Sequence, residues 1–139
     1  MPPVFKILFF CRHNSLRAPL AAAIAERQAA PKVEAFCAGL TPAPITPEVE
    51  KIIFDLTGEP AKTVADLSAL ADEGVALVVV LGDRSHESPA AEVNLAEQFP
   101  QAEIVEWDMP GPSEKHDINH VEIELAERLI LLFSARHLI

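Results

Sequence analysis

Two side chains with complementary chemistry stand close together near the start of the chain. Cys11 ends an apolar run, Val4 to Phe10, and Arg17 follows it after Arg12-His13-Asn14-Ser15-Leu16. A thiolate is a strong nucleophile, and a guanidinium fork grips two oxygens of a phosphate-like group. Pro19 then opens an alanine-rich stretch with helical spacing. A strand that passes through a short loop into a helix N-terminus is a ready anion site. The loop N–H groups converge, and the helix dipole favours negative charge. Arg12, His13, Asn14, Ser15, Leu16 and Arg17 are the candidate anion-binding loop, with Cys11 at its floor. Asn14 suits a bend, because asparagine tolerates positive φ. A bare C-x5-R spacing also fits a simpler arrangement, a buried cysteine that packs and an arginine in a solvated first turn.

The flanking elements decide whether such a loop is held in place. Val4–Phe10 reads as a buried strand and Arg17–Ala29 as a helix with Pro19 in its first turn. Val33–Cys37 reads as a second strand, with Gly39 just beyond it. A proline-rich connector follows, in which Thr46 is the expected N-cap and Pro47 the first helical residue. Val49, Ile52, Ile53 and Leu56 share one face of that helix, which should stop near Gly58-Glu59-Pro60. Asp66–Ala71 suggests a short helix, Val75–Leu81 a fully buried strand, and Ala90–Gln98 another helix. Ile104–Trp107 reads as the fourth strand. The last helix, about Ile118–Ala135, carries Val121, Leu125, Leu129, Leu132 and Phe133 on one side. Strands alternating with helices predict an α/β fold, a parallel sheet covered on both faces. Ligands in such sheets bind beyond the C-terminal strand ends. Cys11, Gly39, Gly82 and the loop after Trp107 are all expected at that edge.

The bulk composition narrows the partners. With 139 residues, half of them hydrophobic, the chain suits a single domain, 1–139, around one core. The net charge of −10, from 21 acidic and 11 basic residues, argues against nucleic acid and anionic membrane surfaces as partners. An anionic ligand must then be drawn by the local field of Arg12, His13 and Arg17. Two cysteines, Cys11 and Cys37, are too few for a disulfide framework and suit a reducing, cytoplasmic setting. His116 and His120 have i, i+4 spacing but no evident third ligand, so a solvated helix start is the expectation and no metal is assigned. Neither a Walker loop nor a G-x-G-x-x-G pattern is present, and no cofactor is expected.

The chain resembles the low-molecular-weight protein tyrosine phosphatase family, including its thioredoxin-coupled arsenate reductase branch. The resemblance rests on Ile7-Leu8-Phe9-Phe10-Cys11, on Asn14-Ser15 and Arg17, and on Pro19-Leu20-Ala21. Ala38-Gly39, Asp83-Arg84 and Trp107 through Pro112 extend it more loosely. It implies a three-layer α/β/α domain with a four-stranded parallel sheet in the flavodoxin-like order 2-1-3-4. It also implies a phosphate-type oxyanion or phosphomonoester, phosphotyrosine included, as substrate. Cys11 would attack phosphorus to give a cysteinyl-phosphate, which water then hydrolyses. Arg17 and the loop N–H groups would hold the phosphoryl oxygens.

Four positions depart from the family's pattern. Ala18 stands where a Ser or Thr hydroxyl normally supports the thiolate. Gly111, in Pro110-Gly111-Pro112, stands where the general-acid Asp is expected. Asp108 is the substitute considered first, with a strand-end role as the alternative; Glu114 and Asp117 are weaker. The stretch 82–88 lacks the relay cysteines of the reductase branch, which leaves Cys37 as the candidate redox partner of Cys11, or else a small buried hydrophobe. Ala22 replaces a glutamate, and the absence of tyrosine reduces the aromatic wall to Trp107 and phenylalanines. The expectation is therefore a slow phosphatase. The alternatives are an arsenate reductase-like enzyme and a non-catalytic phosphate- or phosphoprotein-binding relative.

Overall fold

The computed structural model describes residues 4–11, 16–39, 44–61, 67–82, 94–108 and 118–139. Four strands, β1 (Phe5–Cys11), β2 (Val33–Gly39), β3 (Leu77–Gly82) and β4 (Glu103–Asp108), form one sheet. All pairings are parallel and the order is β2-β1-β3-β4. The helices are α1 (Arg17–Ala29), α2 (Pro47–Thr57), α3 (Leu67–Leu70), α4 (Leu95–Gln98) and α5 (Ile118–Ala135). This is the expected three-layer α/β/α arrangement.

Side-chain alternation along the strands divides the core in two. Ile7, Phe9, Cys11, Ala35, Cys37, Leu77, Val79 and Leu81 face one side, with α1, the inner face of α2, and Val121, Leu125, Leu129 and Phe133 of α5. Leu8, Phe10, Ala38, Val78 and Val80 face the other, under Leu70 of α3 and Leu95 and Phe99 at α4. β1 and β3 are central and buried on both faces, which explains their unbroken apolar runs. The one charge in β1, Lys6, lies at its start. Its Nζ donates to the Glu73 carbonyl at 2.8 Å and lies 3.8 Å from the Glu73 carboxylate.

α1 is buried almost all round, through Ala18, Ala21, Ala22, Ala23 and Ala25. Small side chains let it lie close to the sheet between α2 and α5, so its N-terminus is fixed by packing on three sides. α2 begins as expected, with Thr46 Oγ1 accepting from Val49 N at 3.4 Å and Pro47 as first residue. It ends at Gly58, whose φ of +74° makes the left-handed cap. α4 is shorter than expected. Asn94 caps it, accepting from Glu97 N at 3.1 Å, and residues 90–93 lie outside the described residues. α5 runs against the strands, since Arg136 pairs with Glu103 at the start of β4 while Arg128 lies over Trp107 near its end. The first turns of α5 therefore reach the C-terminal edge of the sheet. No helix among the described residues is long and apolar enough to cross a membrane.

Candidate functional site

The chain leaves β1 to one side for β2 and returns to the other for β3, so the topological switch lies at β1. Cys11 is the last residue of that strand. It stands in register with Gly39 on one side and Leu81 on the other, and Leu81 pairs in turn with Trp107. Cys11, Leu81 and Trp107 thus form a row along one edge and on one face, the face that α1 and α5 cover. Two strand spacings put the Cys11 and Trp107 backbones about 10 Å apart. Cys11 is fully buried and so forms a floor rather than a rim.

Arg17 is the first residue of α1. Its Nη1 donates to the Leu81 carbonyl at 3.4 Å. That bond spans the gap between the helix and the end of β3, and brings the guanidinium to the residue that pairs with Cys11. At 3.4 Å it is long for an N–H···O bond, so an oxyanion competes for this donor at small cost. The helix start suits an anion in a second respect. Leu16 precedes it with no side-chain cap, and no acidic residue occupies its first turn. The Leu20 N–H already donates to the Leu16 carbonyl at 3.0 Å, and Pro19 has no N–H. The positive end of the dipole is therefore carried by the first residues of α1, next to the end of β1.

Arg12, His13, Asn14 and Ser15 lie outside the described residues, as do Asp83, Arg84, Gly111, Glu114, His116 and Asp117. Leu16 is partly buried and packs against the α1 side of the core. Ala18 is fully buried, so the position that lacks a hydroxyl is an interior one. Asp108 ends β4 in register with Gly82 and is exposed. Alternation sets it on the opposite face from Trp107 and Cys11. Cys37 pairs with Phe9, two residues below the Gly39 partner of Cys11, on the same face of the sheet. Both cysteines are buried thiols. Among the described residues no group of His, Cys, Asp and Glu is arranged to hold a metal ion.

One feature of the site had no signal in the sequence. The Arg128 guanidinium of α5 lies over the Trp107 ring, 5.6 Å from its centroid. Glu124, one turn earlier, holds it through Nη2 at 3.3 Å, and His120 lies 3.9 Å from the same carboxylate. The i, i+4 spacing of these three residues is visible in the sequence, but the indole they reach is not.

No family model matches the sequence, and no curated protein matches it. Solved structures do. An arsenate reductase from Archaeoglobus fulgidus superposes with a TM-score of 0.70 at 22% identity, covering 92% of this chain and 98% of its own. The YwlE arginine phosphatase from Geobacillus stearothermophilus gives 0.65 at 20% identity, covering 96% and 93%. A cysteine-to-serine mutant of a YwlE arginine phosphatase, with a phosphorylated active site serine, gives 0.64 at 21% identity, covering 97% and 100%. The chain therefore has the fold shared by arsenate reductases and these low-molecular-weight phosphatase-like enzymes.

Proposed function

We propose that the protein is a cysteine-dependent phosphomonoesterase that works through a cysteinyl-phosphate on Cys11. The observation that carries this reading is the junction of β1 with α1. A buried thiol at the switch point lies by the start of a helix that Leu16 does not cap with its side chain, and whose first residue, Arg17, reaches across to the Leu81 carbonyl. A phosphoserine in the active site of a protein with this fold supports covalent phosphoryl transfer at such a floor.

The chemistry follows from the parts. Cys11 is buried, and burial alone disfavours a thiolate. The helix dipole and the Arg17 charge oppose that penalty. The thiolate attacks phosphorus as the bond to the leaving oxygen breaks, and the phosphoryl group passes to sulfur. Arg17 exchanges its long bond to Leu81 for the phosphoryl oxygens and neutralises their charge. Water then attacks the cysteinyl-phosphate, releasing phosphate and restoring the thiolate. Asp108 is the acid candidate from the sequence, yet its place on the other face suits it poorly to protonate the leaving oxygen. In that case the proton comes from water, and the step runs ~10²–10⁴-fold below one with a positioned acid. Good leaving groups suffer least.

The decisive experiment is phosphate release from an aryl phosphate between pH 5 and 8, with Cys11→Ser as control. Release that Cys11→Ser abolishes supports the reading, and no release from this probe or from a small alkyl phosphate sinks it. Two observations favour a second reading, an oxyanion-binding protein with little turnover: Ala18 in place of a hydroxyl and Gly111 in place of a carboxylate. Tight binding of phosphate or vanadate without release would support it. Arsenate reduction by a relay of three cysteines is disfavoured, because the chain has two. Arsenate consumption with an added thiol would support a reductase that uses a different thiol donor.

A further inference from the structure

Trp107 is the chain's one tryptophan, and the chain has no tyrosine. It is therefore the indole best placed to receive the organic part of a substrate whose phosphoryl group sits over Cys11. Trp107 shares an edge and a face of the sheet with Cys11, two strands away, and packs against the core on that side. Its ring is not bare. The Arg128 guanidinium lies over it at 5.6 Å from the centroid, and Glu124 clamps that guanidinium at 3.3 Å. A planar cation held in this way fills the space in which an aromatic ring would stack.

We propose that Arg128 is a specificity-determining residue of this site: it caps Trp107, so that the pocket disfavours aryl phosphates and takes small, non-aromatic phosphomonoesters. The inference rests on the oxyanion cradle proposed above. The device acts through exclusion. A phenyl group can stack on Trp107 only by displacing Arg128, which forfeits both the cation–π contact and the pairing with Glu124. A small aliphatic substituent makes no such demand. Arg128 and Glu124 are each about one-third exposed and neither is among the buried core residues, and thermal unfolding of each variant checks that the fold is kept.

The test uses two probes with the same anionic group that cannot be hydrolysed, methylphosphonate and phenylphosphonate. Their binding to the full chain is measured by calorimetry, beside Arg128→Ala, Arg128→Lys and Glu124→Gln. Arg128→Ala should tighten phenylphosphonate about fivefold, the upper range for an exposed cation–π contact, and leave methylphosphonate unchanged. Arg128→Lys keeps a cation over the ring and should stay near the parent. Glu124→Gln loosens the clamp and should fall between them. Trp107 emission should change in Arg128→Ala, since no other indole contributes. An unchanged phenyl-to-methyl ratio, a shift the other way, or unaltered emission overturns the proposal while the cradle stands. Failure of methylphosphonate to bind the parent protein overturns the cradle and the proposal together. Slow turnover affects none of these readouts.

Discussion

Joining Cys11 to Cys37 as a disulfide requires the sheet to give way. Cys11 pairs with Gly39, and Cys37 lies two residues further down the same strand. One strand spacing across and two residues along give a Cα–Cα separation of about 8 Å, from ~4.8 Å and ~6.6 Å at right angles. Disulfides span about 4.4–6.8 Å, and pairs beyond about 7 Å need backbone movement. The movement falls on the last three pairs of the ladder, Phe9–Cys37, Phe10–Ala38 and Cys11–Gly39. Releasing two or three ladder bonds at about 1 kcal/mol each costs roughly 3 kcal/mol. At ~30 mV per 1.4 kcal/mol, that raises the reduction potential of the bond by about 60 mV. The separation also keeps the Cys37 thiol out of reach of a Cys11 sulfenic acid while the ladder is intact, so mild peroxide should oxidise Cys11 without pairing it to Cys37. The check is a thiol count with intact mass on the parent and on Cys11→Ser and Cys37→Ser. The parent should retain the Cys37 thiol and gain oxygen. Loss of both thiols with loss of two mass units, absent in both single variants, would refute the geometric reasoning and revive Cys37 as a redox partner.

Other outcomes follow from single contacts. Arg17→Lys keeps the charge but loses the planar fork, so kcat/KM for an aryl phosphate should fall about 10²-fold, while thermal unfolding measures the same fold. Asp108→Asn should change phosphate release by less than about twofold; a drop approaching 10²-fold, the scale of a lost general acid, would make Asp108 the acid after all. Gly58→Ala should lower stability by about 1–2 kcal/mol in denaturant titrations, because φ is +74° there. A new Cβ at Gly58 would meet nothing within 4 Å, so backbone strain alone sets that cost.

The elements of the fold were legible because local rules and burial agree in them. α1 and α5 have the bounds their periodicity predicts, Arg17–Ala29 and Ile118–Ala135. Thr46, Pro47 and Gly58 mark α2 through capping chemistry alone. Strand ends were less legible, since apolar character does not stop where pairing stops. Val75 is buried yet precedes β3, serving the second core beside Leu70 and Phe99. β2 and β4 extend beyond their apolar centres, to Gly39 and Asp108, because ladder pairing continues through them.

The candidate site divides along the same line. Cys11 and Arg17 could be read from spacing, because one strand, one loop and one helix start hold them both. The Arg17 bond to Leu81 and the Arg128 stack on Trp107 join residues distant in sequence, and no periodicity encodes them. These two contacts bear on different properties. On the proposed reading, Arg17 sets how an oxyanion is held, which is common to every ligand of the cradle. On the same reading, Arg128 sets what is attached to that oxyanion, because it lies over the ring beside which the attached group would lie. The first property belongs to the proposed cradle at the β1–α1 junction. The second lies on β4 and α5, away from that junction. Substrate choice is thus proposed to lie with the α5 face and Trp107, and it should change by substitutions that leave Cys11, Arg17 and the helix dipole untouched.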